Sequence, residues 1–119
     1  MADYVSVVTH NNEVDISLVA SDPKVLALGG KLGALCPEAY MNGYNWDALL
    51  RCYLEKNPPD ILEGLDPDPE ADTYTAHWPL TPESEARAKR FEEIIRSLVE
   101  HEEELCRIVR EEGGEIEWD

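Results

Sequence analysis

The chain has 119 residues, with 10 Lys+Arg against 26 Asp+Glu, giving a formal net charge of -16. That length suits one domain spanning residues 1–119, and 43% apolar residues suffice to build a core. The acidity excludes phosphate-directed binding of nucleic acid and docking on an anionic membrane, both of which need a basic face. It favours a basic partner.

The first twenty residues read as a β-hairpin. Glu13 to Leu18 alternates polar and apolar residues, which places Val14, Ile16 and Leu18 on one buried face. Tyr4 to Thr9 supplies the other strand, and Asn11-Asn12 tolerates the positive φ of a two-residue turn. Ser21 or Asp22 then caps a helix with Pro23 in its first turn. Val25, Leu26, Leu28, Leu32 and Leu35 form its expected apolar stripe. Gly29, Gly30 and Gly33 weaken it by about 1 kcal/mol each relative to Ala. They match no phosphate-loop pattern, so they read as places where another backbone approaches.

A second helix follows, with Asn45 expected as its cap and Asp47 in its first turn. Trp46, Leu49, Leu50, Tyr53 and Leu54 share one face, and Pro58-Pro59 stops it. A short helical turn is expected from Asp60 to Gly64. Leu65 to Asp72 carries Pro67 and Pro69 and reads as a stiff, extended acidic loop. Thr73 to Trp78 is the next strand, with Tyr74, Ala76 and Trp78 on one face.

Thr81-Pro82-Glu83 opens the last helical region. Phe91, Ile94, Ile95, Leu98, Leu105, Ile108 and Val109 continue its stripe, with a break expected around Glu100 to Glu102. Gly113-Gly114 ends it, and Glu115 to Trp118 alternates as a closing strand would. The order β-β-α-α-β-α-β predicts an α+β domain, with helices packed on one face of an antiparallel or mixed sheet.

Catalytic chemistry finds little support. His10, His77 and His101 fall on a turn, a strand and a helix without a local signature. Cys36, Cys52 and Cys106 form no CxxC pair, and Cys52 lies on an apolar helix face that disfavours its thiolate. Asp66, Asp68, Glu70 and Asp72 alternate like a calcium loop, but Ala71 and His77 stand where an EF-hand needs Gly and Glu. No catalytic, cofactor or metal site is therefore expected. No apolar run approaches a membrane span, and Met1-Ala2-Asp3-Tyr4 lacks a basic leader, so a cytoplasmic protein is expected.

The charge itself is uneven. Residues 41–79 hold eight acids and only two bases, Arg51 and Lys56, whereas residues 80–119 hold thirteen acids and six bases. Ion pairs offset the last helices. The middle segment, with Asp60, Glu63, Asp66, Asp68, Glu70 and Asp72, is the candidate partner-binding surface.

The stretch from Asn42-Gly43-Tyr44-Asn45-Trp46 to Asp68-Pro69-Glu70-Ala71 resembles the immunity protein 51 family of bacterial polymorphic-toxin systems. That family typically shows an N-G-Y-D-W element opening a helix and a D-P-E-A-like element before a strand. Asn45 stands here where Asp is usual, and Asp72 where Gly is common; Tyr53 and Leu54 match the intervening helix. The resemblance implies a non-enzymatic protein that binds and blocks a cognate toxin, and the acidity of the chain suits a nuclease toxin, whose cleft for phosphates is basic. It marks Asn42, Gly43, Tyr44, Trp46 and Pro69 as motif residues with structural roles. An adaptor for another basic partner is the alternative, and a small hydrolase or metal protein using His10, His77 or a Cys–His pair is a third reading.

Overall fold

The structure is a computed structural model that describes residues 4–56 and 59–118. Met1-Ala2-Asp3, read above for a leader, and Pro58, read as a helix stop, lie outside the described residues.

Strands β1 (Val5–His10) and β2 (Glu13–Val19) form the expected antiparallel hairpin. Asn11 and Asn12 both adopt positive φ, 46° and 65°, the geometry whose twist matches a two-residue hairpin. Helices α1 (Pro23–Leu35) and α2 (Gly43–Lys56) follow, then a 3-10 turn at Pro59–Leu62. The short strand β3 (Asp66–Pro67) leads into β4 (Thr73–Pro79). Helices α3 (Pro82–Glu100) and α4 (Glu102–Glu112) finish the fold with a 3-10 turn at Gly113–Glu115.

The sheet order is β1-β2-β4-β3, with every neighbouring pair antiparallel. Val14, Ile16 and Leu18 of β2 and Tyr74, Ala76 and Trp78 of β4 are buried on one face. The helices cover that face and leave the other to solvent, as the α+β reading expects. Phe91 of α3 locks the layers together, meeting Tyr74 and Trp78 edge-on at centroid distances of 6.1 and 6.4 Å. The Trp78 indole Nε1 donates to Ile61 O at 3.1 Å, which satisfies a buried donor and ties the 3-10 turn to β4.

Caps set several boundaries. Asp22 caps α1 by accepting from Lys24 N at 3.0 Å, with Pro23 next in line. Thr81 and Ser84 form a capping box at the start of α3. The break expected near Glu100 to Glu102 falls at His101.

Four expectations need correction or refinement. The α2 cap is Asn42, whose Oδ1 accepts from Asn45 N at 2.9 Å; Asn45 sits a turn inside and is buried. In α1, Val25, Leu28 and Leu32 are buried, whereas Leu26 and Leu35 are exposed, because only one narrow stripe of this helix meets the core. Within the stretch expected as a stiff, extended loop, Asp66–Pro67 pairs with β4 as an edge strand, a position where proline is tolerated. Glu115 to Trp118 forms no strand. Helix α4 packs on α1 and α3, and its end lies beside α2 instead of a sheet edge. There Lys56 bridges Glu112 and Glu115 at 2.7 and 3.2 Å, and Trp118 Nε1 folds back to donate to Gly113 O at 3.1 Å.

Candidate functional site

The two motif elements meet in space. Gly43 N donates to Ala71 O at 3.1 Å. A Cβ on Gly43 would stand 1.8 Å from Glu70 O and 2.3 Å from Thr73 O, so only glycine lets α2 start this close to the acidic loop. Ala20 N donates to Asp72 O at 2.9 Å from the other side, while Asp68 N and Glu70 N donate to Thr75 O and Thr73 O, each at 2.8 Å. The loop's backbone is thus fixed, and its acidic side chains project outward.

The six candidate acids divide. Asp60 is held by both guanidinium nitrogens of Arg90 at 2.7 and 3.3 Å, which lowers its pKa. Glu63 stands 3.5 Å from Arg87, and Asp66 lies 3.1 Å from His77 Nε2. Asp72 accepts from the Thr73 hydroxyl at 3.4 Å. Asp68 and Glu70 are exposed and have no side-chain ion pair among the described residues. The carboxylates of Asp68, Glu70 and Asp72, without an ion-pair partner among the described residues, thus stand next to one another on a hydrogen-bonded backbone.

Beside them runs a groove of about 670 Å³, which the sequence reading missed. Its floor is the glycine face of α1, Gly29, Gly30 and Gly33. Pro37, Ala39, Tyr40 and Met41 make one wall, and Ala71 and Asp72 make the other. Two of the glycines admit that first wall: added Cβ atoms would meet Met41 Cβ at 3.1 Å from Gly29 and Ala39 O at 3.4 Å from Gly33. Gly30 would meet nothing within 4 Å, so it keeps the groove open rather than the fold packed.

Leu26 and Tyr40 stand at the groove with 60% and 76% of their surface exposed. Tyr40 is nonetheless held firmly, since its carbonyl accepts from Asn42 N at 2.8 Å and from Asn45 Nδ2 at 2.7 Å. An exposed aromatic on a fixed backbone loses little entropy when it docks. The available signal was in α1: Leu26 lies off the Val25-Leu28-Leu32 stripe, beside the helix's only side-chain-free strip.

The remaining motif residues take structural or separate positions. Trp46 is buried, with no hydrogen-bond partner for its indole Nε1 among the described residues. Pro69 is half-buried in the loop. Tyr44 is exposed and lines a second, more polar cavity with Asp47, Arg51 and Trp118. Burial there raises the Asp47 pKa, against the opposing pull of Arg51. Burial also raises the Cys52 thiol, as its place on the helix predicts. On the open face of the sheet, ligand atoms of Glu13, Asp15 and His77 lie within 4.8 Å of one another.

No described helix is long and apolar enough to cross a membrane. The structure is a small acidic α+β domain with an open, largely apolar groove along α1. Residues 5–113 match the family described as Immunity protein 51, and the chain belongs to that family. Membership supports an immunity function in general terms. No curated protein and no solved structure matches the chain.

Proposed function

We propose that this protein neutralises a cognate toxin domain in the cytoplasm by binding it, not by chemistry. The toxin docks on the α1 groove, and the loop acids Asp68, Glu70 and Asp72 steer it. The observation that carries this reading is the coincidence of two features at one place. An open apolar groove presents Leu26 and Tyr40, and its wall continues into the segment where acids are least paired. Aromatic and aliphatic anchors supply binding energy, while rim charges supply encounter rate.

The partner's chemistry follows from the site. Its docking face carries an apolar side chain that enters the groove, with Lys or Arg beside it to meet the loop. A nuclease toxin suits this description because its substrate cleft is already basic. The acidic loop then stands in for phosphates and occludes the cleft. Asp66 extends the acidic line toward the sheet edge, whereas Asp60 and Glu63, paired with arginines of α3, contribute less.

Stopped-flow association with the toxin at increasing salt tests the reading. Association slows steeply as salt rises, because steering is screened beyond roughly 10 Å at 0.1 M. Dissociation changes little. The substitution Gly30→Arg fills the groove without touching the core and abolishes binding. Salt-independent association would remove the charge argument, and full binding by Gly30→Arg would remove the groove.

A further inference from the structure

We propose that the open face of the sheet carries a divalent transition-metal site formed by His77, Asp15 and Glu13, with zinc the ion of best fit. The strand register builds it. Asp15 of β2 lies directly opposite His77 of β4, and Asp66 of β3 lies opposite His77 on its other side. Glu13 is two residues from Asp15 along β2 and therefore on the same face. One imidazole is thus flanked by carboxylates from both neighbouring strands.

The imidazole is already oriented as a ligand. Nε2 of His77 lies 3.1 Å from Asp66 Oδ2, so its N–H donates there and leaves the Nδ1 lone pair free. Nδ1 faces Glu13 Oε2 at 4.0 Å. Two acceptors facing each other repel unless a cation or proton lies between them. A carboxylate that holds the far ring nitrogen while the near one meets the ion is the usual support of a metal-bound histidine.

An independent observation points to the same place. Asp15 Oδ2 is held by His10 Nε2, but Asp15 Oδ1 is buried with no hydrogen-bond partner among the described residues. A buried carboxylate oxygen without a partner is costly, and an ion bound there removes that cost. In a tetrahedral zinc site, ligand atoms about 2.0–2.1 Å from the ion stand about 3.3 Å apart. Side-chain adjustment of up to about 1.5 Å closes the present cluster, whose ligand atoms lie within 4.8 Å of one another, to that spacing. One nitrogen and two carboxylates neutralise a divalent ion and leave its fourth position for water. An imidazole ligand favours zinc over magnesium or calcium, which prefer all-oxygen shells.

The test is calorimetric titration of untagged, chelator-treated protein with zinc chloride, and separately with magnesium chloride. One zinc per chain at micromolar or tighter affinity is expected, with no saturable uptake of magnesium. His77→Gln and Asp15→Asn each weaken zinc binding at least tenfold, while His101→Gln leaves it unchanged. Circular dichroism checks that the variants fold; if His77→Gln does not, Glu13→Gln reports on the same site. Nitrogen NMR of the His77 ring distinguishes zinc at Nδ1 from a proton there. Absence of saturable zinc uptake, uptake that survives His77→Gln, or a ring that only gains a proton would each overturn the assignment.

Discussion

The two acid-rich regions of this chain use their charge in opposite ways. Around α4, the acids brace the fold. Glu100 pairs with Lys24 of α1 at 2.6 Å, Glu102 with Lys31 of α1 at 2.5 Å, and Glu112 with Lys56 of α2 at 2.7 Å. Arg107 gathers Glu104 and Glu111 within α4 itself, at 2.5 and 3.5 Å. In the loop from Asp68 to Asp72, the backbone makes the structural hydrogen bonds and the carboxylates are left outside. Net charge alone does not separate these regions. What separates them is whether a cation, from the same element or another, reaches the acid, and only unspent charge is free to attract a partner.

Detaching the loop from α2 breaks the comparison most severely. Gly43→Val drives a side chain into the carbonyls of Glu70 and Thr73. The expected loss is about 3 kcal/mol or more, read by urea denaturation, because rigid backbone cannot yield as a side-chain tip can. Toxin binding is lost with it. A stability near wild type would mean that the loop does not rest on the start of α2.

Neutralising charge sharpens the contrast without disturbing the fold. The combined variant Asp68→Asn, Glu70→Gln and Asp72→Asn slows toxin association by about tenfold at low salt. The matched helix variant, Glu104→Gln with Glu111→Gln, leaves association within about twofold. Equal effects from both would return the explanation to net charge.

A smaller effect separates fold from groove. Gly30 lies exposed in a helix interior with open space around it, so Gly30→Ala stabilises the protein by about 0.5–1 kcal/mol. Thermal or urea denaturation reads this directly, and destabilisation would show that the glycine serves packing.

The smallest effect is on acid stability. Hydrogen bonds from Lys24 and Tyr4 lower the Glu100 pKa below its ordinary value of 4.5, and Arg107 does the same for Glu104. A lowered folded-state pKa contributes stability that is full above the ordinary value and is lost as pH falls through the lowered one. Urea midpoints therefore decline as pH drops below 4.5, and Lys24→Met flattens part of that decline. A pH profile unchanged by Lys24→Met would detach the Lys24–Glu100 pair from it.

Much of the fold was legible because its signals are local. The Asn11-Asn12 turn, the alternation in β2 and β4, and the Thr81-Pro82 start each fit within a few residues. Errors arose where a local signal had two solutions or a distant element decided. Asn42 and Asn45 are both good caps, and the close approach at Gly43 selects the earlier. The alternating tail reads as a strand, but the edge it would need lies elsewhere, and Lys56 holds it beside α2. The groove was only half-written: the glycines were visible, but the wall that rises opposite them comes from the loop after α1 and from residues 71–72. His77 was visible as a candidate ligand, but its carboxylate neighbours Asp15 and Glu13 were not, since strand pairing joins residues far apart in the chain.

The most direct measurement is growth rescue by co-expression with a toxic product of the adjacent upstream gene, comparing wild type, Gly30→Arg and the helix variant Glu104→Gln. The account predicts protection by wild type and by Glu104→Gln, and loss of protection by a folded, soluble Gly30→Arg. Protection by Gly30→Arg equal to that of wild type would contradict the claim that the groove and its acidic wall engage the toxin.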